Sequence, residues 1–261
     1  MSDPSPNDPD GTHFTLLGDN SAVDDDRLIE LYAYPTGLTR ALVRGNAITS
    51  LDGGAATDGT SGGLGGAGDR RLFGVLRELA DVIVVGAGTA RAEKYAGAQM
   101  SVAARGNRQR RDQSEVPPIA LVTRSGHIEH DLPVLTRTEV MPLVLTCDDA
   151  AVDTCSRLTG VAEVIACSAS DPAEVDPAAM LAALAERGLH RVLCEGGPTL
   201  TGTFVEHGLL DEMCLTTAPK LVGGSAPRIV SGQGHVLTDM RRAHLICDAE
   251  GYLYARYTRV G

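Results

Sequence analysis

A carboxylate followed at once by two glycines and a proline marks the stretch best equipped for chemistry: Glu195-Gly196-Gly197-Pro198-Thr199-Leu200-Thr201. The apolar run before it, Val192 to Cys194, reads as a strand. Pro198 suits the first position of a helix, because it lacks an N–H that would go unpaired there. A glycine turn that opens a helix gathers free backbone N–H groups and the positive end of the helix dipole, which suits a phosphate. Glu195 is a poor neighbour for an anion and is expected to face another part of the ligand. The stretch therefore predicts a site with a phosphate end and a polar-ring end. A second turn of the same kind, Gly86-Ala87-Gly88-Thr89, follows the β-branched run Val82 to Val85. A third apolar run, Ile119 to Thr123, ends at Arg124-Ser125, a cation and a hydroxyl that could pair with a further phosphate. Two such turns at the carboxyl ends of strands are more telling than one, since helix N-termini flanking one crevice could hold a pyrophosphate.

Other chemistries lack their residues. Arg91 stands where a dinucleotide fingerprint beginning at Gly86 needs Gly or Ala. There is no GxxxxGK[ST] loop, no GxSxG elbow and no zinc-deaminase signature. The seven His form no ligand pattern, so no metal is expected. The basic run Arg105 to Arg111 has no interleaved aromatic residue for base stacking. With a net charge of −11, neither nucleic acid nor an anionic membrane is an expected partner. The six Cys include no CxxC and mostly sit in apolar runs, which reads as buried reduced thiols and a cytoplasmic setting. No apolar run approaches the roughly 18 residues of a membrane span, and the acidic N-terminus lacks a signal-peptide pattern.

The elements that must position these turns read as one α/β domain. Apolar residues make up 43% and aromatics 3% of the chain, so the core is expected to be aliphatic. Residues 1–24 are rich in Asp, Pro, Ser and Asn and read as a mobile tail with one apolar patch, Phe14 to Leu17. Residues 25–261 read as the single domain. Its first strand runs from Leu38 to Ser50, and the eight glycines from Gly53 to Gly68 form a loop expected to wrap a ligand. Leu72, Val75, Leu76 and Leu79 recur at helical spacing over 69–80. Residues 96–117, rich in Gly, Arg, Gln and Ser, read as a solvated flexible loop. Strands then alternate with helices until two alternating runs, Ala243 to Cys247 and Tyr252 to Thr258, form a hairpin. The whole predicts a central, mostly parallel sheet with an antiparallel C-terminal hairpin and helices on both faces.

Four motifs in order carry a family resemblance. They are Asn46-Ala47-Ile48-Thr49-Ser50-Leu51-Asp52-Gly53, Val85-Gly86-Ala87-Gly88-Thr89, Glu195 to Leu200, and Asp211-Glu212 running to Ala218-Pro219-Lys220-Leu221-Val222-Gly223-Gly224. Over roughly residues 38–260 the chain resembles the pyrimidine reductases of riboflavin biosynthesis, the RibD C-terminal family. The resemblance implies a dihydrofolate-reductase-like fold, NADPH as cofactor and a homodimer. It implies a hydride transfer that reduces the ribosyl carbon of 5-amino-6-(5-phosphoribosylamino)uracil to a ribityl chain. It places NADPH against Ile48, Thr49, Gly86, Gly88, Thr89 and Glu93, with Arg124 and Ser125 near the 2′-phosphate. Gly196, Gly197, Pro198, Thr199, Leu200 and Thr201 would cover the pyrophosphate and nicotinamide. Glu195 would contact the pyrimidine ring, with Asp52, Gly62 and Arg77 on the substrate side, and Glu195 and Asp52 are the candidate catalytic groups. The family carries Lys where Asn46 stands and Arg near Met100, two cations that help hold the substrate phosphate; Arg77 or Lys94 would have to replace them. That departure leaves two other readings open, a pterin such as dihydrofolate as substrate, or an NADP-binding sensor that does not catalyse.

Overall fold

The buried run Val82 to Val85 lies within an eleven-stranded sheet, seen in a computed structural model that describes residues 13–18, 21–232 and 234–260. The N-terminal elements are β1 (Phe14–Leu16), β2 (Ser21–Val23), α1 (Asp25–Tyr32) and β3 (Leu42–Thr49). Then come α2 (Ala67–Leu79), β4 (Val82–Gly86), α3 (Ala87–Ala92) and α4 (Val102–Arg110). The outer parallel part is β5 (Ile119–Val122), α5 (Pro133–Thr136), β6 (Leu143–Thr146), α6 (Asp148–Arg157) and β7 (Glu163–Ala166). The chain returns through α7 (Pro177–Ala185), β8 (Arg191–Cys194), α8 (Pro198–Glu206) and β9 (Leu210–Thr217), and closes with β10 (Met240–Asp248) and β11 (Leu253–Arg259). The strand order is β2-β1-β10-β11-β9-β3-β8-β4-β5-β6-β7. Pairing is parallel from β9 to β7, and antiparallel where β11, β10, β1 and β2 extend the other side. The expected mostly parallel sheet with an antiparallel C-terminal hairpin is observed.

Because β8 is inserted between β3 and β4, the two strands that end in glycine turns lie side by side. After β4 the chain moves outward through β5 to β7, whereas after β8 it crosses to β9 on the far side of β3. Crevices outside the strand ends at such a reversal are where open α/β sheets bind ligands. The sheet separates two aliphatic cores. One gathers Leu72, Leu76 and Leu79 of α2 against Ile83 and Val85. The other sets Met180 and Leu184 of α7 and Phe204 of α8 against Val82 and Val84. Alternate residues of β4 thus feed opposite cores, the period-two rule of a strand buried on both faces.

Two expectations are corrected. The tail does not extend to residue 24: β1 pairs with β10, β2 pairs with β1, and Phe14 is buried edge-on to Tyr254 with ring centroids 5.1 Å apart. Residues 1–12 of that tail lie outside the described residues. The segment 96–117 is not a solvated loop but contains α4, because Arg108 has buried carbonyls to satisfy. Arg108 Nη1 donates to the carbonyls of Glu78 and Ala80 at the end of α2, at 2.9 and 2.6 Å, and its Nε to that of Ser114. These are the orphan acceptors of a helix C-terminus, where a cation is also favoured. Burial pushes the Arg108 guanidinium down to about 10. Of the six thiols, Cys147, Cys167, Cys194 and Cys214 are buried and free, whereas Cys155 on α6 is exposed. No helix among the described residues is long and apolar enough to cross a membrane.

His244 on β10 stands edge-on to Tyr32, with ring centroids 4.6 Å apart. Burial, and after it the Arg256 and Arg44 guanidinium groups, hold its imidazole down at about 4. A group whose pKa is lowered by folding adds stability that is complete above its unfolded value and is lost as pH falls through the folded one. Stability is therefore expected to decline from about pH 6.5 towards about pH 4, as the unfolded chain takes up a proton the folded chain resists. Urea midpoints across that window should flatten in His244→Gln; an unchanged slope would clear His244 of the effect.

Candidate active site

The two glycine turns meet through the backbone: the Gly86 N–H donates to the Gly196 carbonyl at 2.7 Å. Gly196 has φ of +87°, in the region that favours glycine, and the Gly196–Gly197 peptide is cis. A Cβ at Gly197 would come to 2.4 Å from Thr89 Oγ1, so any side chain there would force the Thr89 hydroxyl to move. Gly197 is the N-cap of α8 and offers no side chain to its first turn. The start of α8 borders a cavity of about 530 Å³ lined by Gly86, Gly88 and Thr89 on one side and Gly197 to Leu200 on the other. Val175, Pro177 and Met180 supply apolar wall, and Arg124 and Glu174 are the charged residues of the lining. An uncapped helix start, glycines at close approach and a flat apolar wall fit the pyrophosphate and a ring of a dinucleotide.

Gly88, Thr89, Gly197 and Pro198 also line a second cavity of about 290 Å³, so the two are halves of one groove. The second half is walled by Ile48 of β3, Phe73 of α2, Tyr95 and Ile229, with Ala55, Ala56 and Ser61 from the glycine-rich loop. That loop is tied down on several sides. Glu93 Oε1 accepts the Ser61 N–H at 2.7 Å, Lys220 Nζ donates to the Gly63 carbonyl at 2.8 Å, and the Tyr252 hydroxyl donates to the Leu64 carbonyl at 2.9 Å.

Glu195 reaches this half-groove from the end of β8, with its side chain only 2% exposed. Arg77 of α2 clamps it from behind: Nε donates to Oε1 and Nη2 to Oε2, both at 2.7 Å. The Tyr95 hydroxyl donates to Oε2 at 2.7 Å. Arg77 itself lies over the Phe73 ring, 4.2 Å from its centroid. Burial first, and then the Glu195 charge, push the Tyr95 phenol well above its ordinary value, so it remains a donor. A carboxylate offers about four lone-pair sites, and three are occupied here. The remaining acceptor site suits a ring N–H of a ligand. Asp69 and Glu93 line the same half, and among the described residues no Lys or Arg does.

The groove therefore gathers most of the expected residues. Ile48, Glu93, Glu195, Gly196 and Thr201 line the smaller half; Gly86, Arg124, Thr199 and Leu200 line the larger. Five expected residues line neither half. Arg77 stands behind Glu195 and binds its carboxylate. Thr49 turns its hydroxyl to the Ser50 and Gly54 carbonyls, Ser125 accepts the His127 N–H, and Gly62 is exposed. Asp52 is a loop staple rather than a groove residue: it accepts the Val222 and Gly223 N–H groups at 3.0 and 2.6 Å and the Ser50 hydroxyl. Those bonds, that of Ser50 foremost, hold its carboxyl down at about 2. Lys94 is exposed, and Met100 packs against the core, so neither enters the groove. Phe73, Asp69, Ile229 and Glu174 also line the groove and were not singled out from the sequence; Phe73 sits four residues before Arg77 on α2, and that spacing was its one signal.

Comparison with known proteins identifies relatives of the chain. The model of the RibD C-terminal domain matches residues 41–254. The riboflavin biosynthesis protein RibD of Bacillus amyloliquefaciens is 29% identical over 206 residues, which is 78% of this chain and 52% of that protein. The chain thus spans about half the length of that relative. A 2,5-diamino-6-ribosylamino-4(3H)-pyrimidinone 5′-phosphate reductase of Methanothermobacter thermautotrophicus is 29% identical over 72% of this chain and 83% of its own. Among solved structures, a pyrimidine reductase-like protein of Corynebacterium diphtheriae superposes with a TM-score of 0.77 at 27% identity, covering 92% of this chain and all of the other. The domain match over residues 41–254 covers most of the chain, and the chain belongs to the RibD C-terminal domain family.

Proposed function

We propose that this chain is a nicotinamide-dependent reductase that uses NADPH to reduce a pyrimidine-type substrate. The single observation that carries the reading is the two-part groove: an uncapped helix start and glycine walls in one half open directly onto a clamped carboxylate in the other. The names of the related reductases support the same reaction class. A bound nicotinamide would supply the hydride, and the protein's part is binding, orientation and exclusion of water. In this reading the first N–H groups of α8 take the pyrophosphate and Arg124 the 2′-phosphate. Glu195 accepts a ring N–H and fixes the ring against the shared wall of Gly88, Thr89 and Gly197. Phe73, Ile48 and Ile229 keep that half dry, which strengthens the carboxylate's hydrogen bonds. The working form is proposed to be a homodimer, which sedimentation of the purified chain checks.

One observation favours a second substrate. The smaller half carries Asp69, Glu93 and Glu195 with no cation among the described residues, a wall that repels a phosphate. A pterin such as dihydrofolate offers ring N–H groups to Glu195 without bringing one. The deciding experiment follows NADPH consumption with 5-amino-6-(5-phosphoribosylamino)uracil and with dihydrofolate. Turnover of the first supports the pyrimidine reading, and turnover of dihydrofolate alone supports the pterin one. NADPH binding with no turnover of either would favour a sensor that does not catalyse.

A further inference from the structure

In the larger half of the groove, an acid and a base from two anchored loops face each other: Arg124 Nη1 lies 2.9 Å from Glu174 Oε1. Neither backbone is free to drift. The Arg124 carbonyl accepts from the buried Cys147 thiol, and the Thr123 N–H beside it donates to the Leu145 carbonyl. The Glu174 carbonyl accepts the Ser168 hydroxyl at 2.7 Å, and its N–H donates to the Asp171 carbonyl. Both side chains are more than half exposed, so the pair is weak and either member can be turned to a ligand.

The two groups have opposite preferences at a ribose 2′ position. A guanidinium accommodates a 2′-phosphate, whereas a carboxylate accepts a hydrogen bond from a free 2′-hydroxyl and repels a phosphate. We propose that Glu174 determines cofactor specificity in this site, opposing Arg124 so that NADPH and NADH are distinguished only weakly. The inference rests on the nicotinamide-cofactor reading above. A 2′-phosphate must draw Arg124 away from Glu174 and then sits beside the carboxylate it displaced. A free 2′-hydroxyl meets an acceptor and no repulsion. Discrimination built on one attractive and one repulsive group can be shifted from either side.

The test is a fluorescence titration of the full chain with NADPH and with NADH, repeated for Glu174→Gln and Arg124→Ala. Removing the Glu174 charge should tighten NADPH by roughly five- to tenfold while leaving NADH unchanged or weaker. Arg124→Ala should weaken NADPH by roughly tenfold or more and NADH little. NADPH affinity should also fall more steeply with salt in Glu174→Gln than in the natural chain, since the attraction is then unopposed. Equal shifts for both dinucleotides, or no shift, would overturn the proposal. Selective weakening of NADPH in Glu174→Gln would overturn it too, because Glu174 would then be holding Arg124 in place for the phosphate. Failure of the natural chain to bind either dinucleotide would overturn the cofactor reading itself, a result distinct from binding without a shift in preference.

Discussion

Glu195→Gln is expected to lower turnover by roughly 10- to 100-fold, the worth of a charged hydrogen bond to a substrate, while changing NADPH affinity by no more than about twofold. It is also expected to destabilise the fold, and the geometry says why. Both Glu195 oxygens accept from Arg77, so either orientation of a glutamine side chain turns its NH2 against a guanidinium N–H. Removing one partner of a buried ion pair costs about 3–5 kcal/mol, because the other charge is left uncompensated. Stability and turnover can be separated with a second substitution. Arg77→Met alone should destabilise by a similar amount, since it strands the carboxylate instead. The double variant removes both charges and should recover most of the stability, because replacing both members of such a pair is often neutral. Turnover should not recover, because the ring N–H then meets a neutral amide oxygen in place of a carboxylate. Denaturant midpoints and initial rates on the three variants decide the matter. If turnover returns together with stability in the double variant, Glu195 is a packing residue and the substrate is held elsewhere.

What could be read in the sequence was local, and what could not was set by distance along the chain. The strand–glycine–helix turns at Gly86 and Gly196 announce themselves within about ten residues, because a proline at a helix start and a β-branched run each carry their own geometry. That the two turns would touch depended on β8 entering between β3 and β4, which no spacing reveals. The Arg77–Glu195 clamp joins residues 118 positions apart, so Arg77 read as a cation available to a substrate phosphate, when its Nε and Nη2 donate to a buried carboxylate that neutralises its charge. The bonds of Asp52 were hidden for a similar reason. The family resemblance put it on the substrate side, and its partners, the N–H groups of Val222 and Gly223, come from a loop about 170 residues away. The segment 96–117 misled through composition. Arginine and glutamine read as solvated, yet Arg108 is buried because the Arg77, Glu78 and Ala80 carbonyls at the end of α2 outweigh the cost of taking one guanidinium out of water.

Glu212→Gln is expected to be the most destabilising single substitution outside the groove. Three adjacent strands bring their charges together on one face: Arg44 on β3 and Arg256 on β11 flank Glu212 on β9. Arg44 Nε donates to Oε2 and Arg256 Nη2 to Oε1, each at 2.6 Å. Arg44 is fully buried and lies 3.8 Å over the Tyr34 ring. The other arms of the two guanidinium groups reach the last turn of α1, where Nη1 of Arg44 and of Arg256 donate to the carbonyls of Tyr32 and Leu31. One carboxylate thus neutralises two cations that also cap a helix, fastening α1 to the sheet. Loss of its charge leaves both uncompensated, a cost of about 3–5 kcal/mol. For a chain of this size each kcal/mol moves Tm by about 2–4 °C, so a fall on the order of 10 °C is expected. Glu30→Gln breaks an exposed pair with Arg27 in the same helix and should stay within about 0.5 kcal/mol of the natural chain. Thermal unfolding of the two variants side by side checks the argument. Near-equal Tm values would mean that solvent reaches the Arg44 cluster and that the strands and α1 are held by their apolar contacts alone.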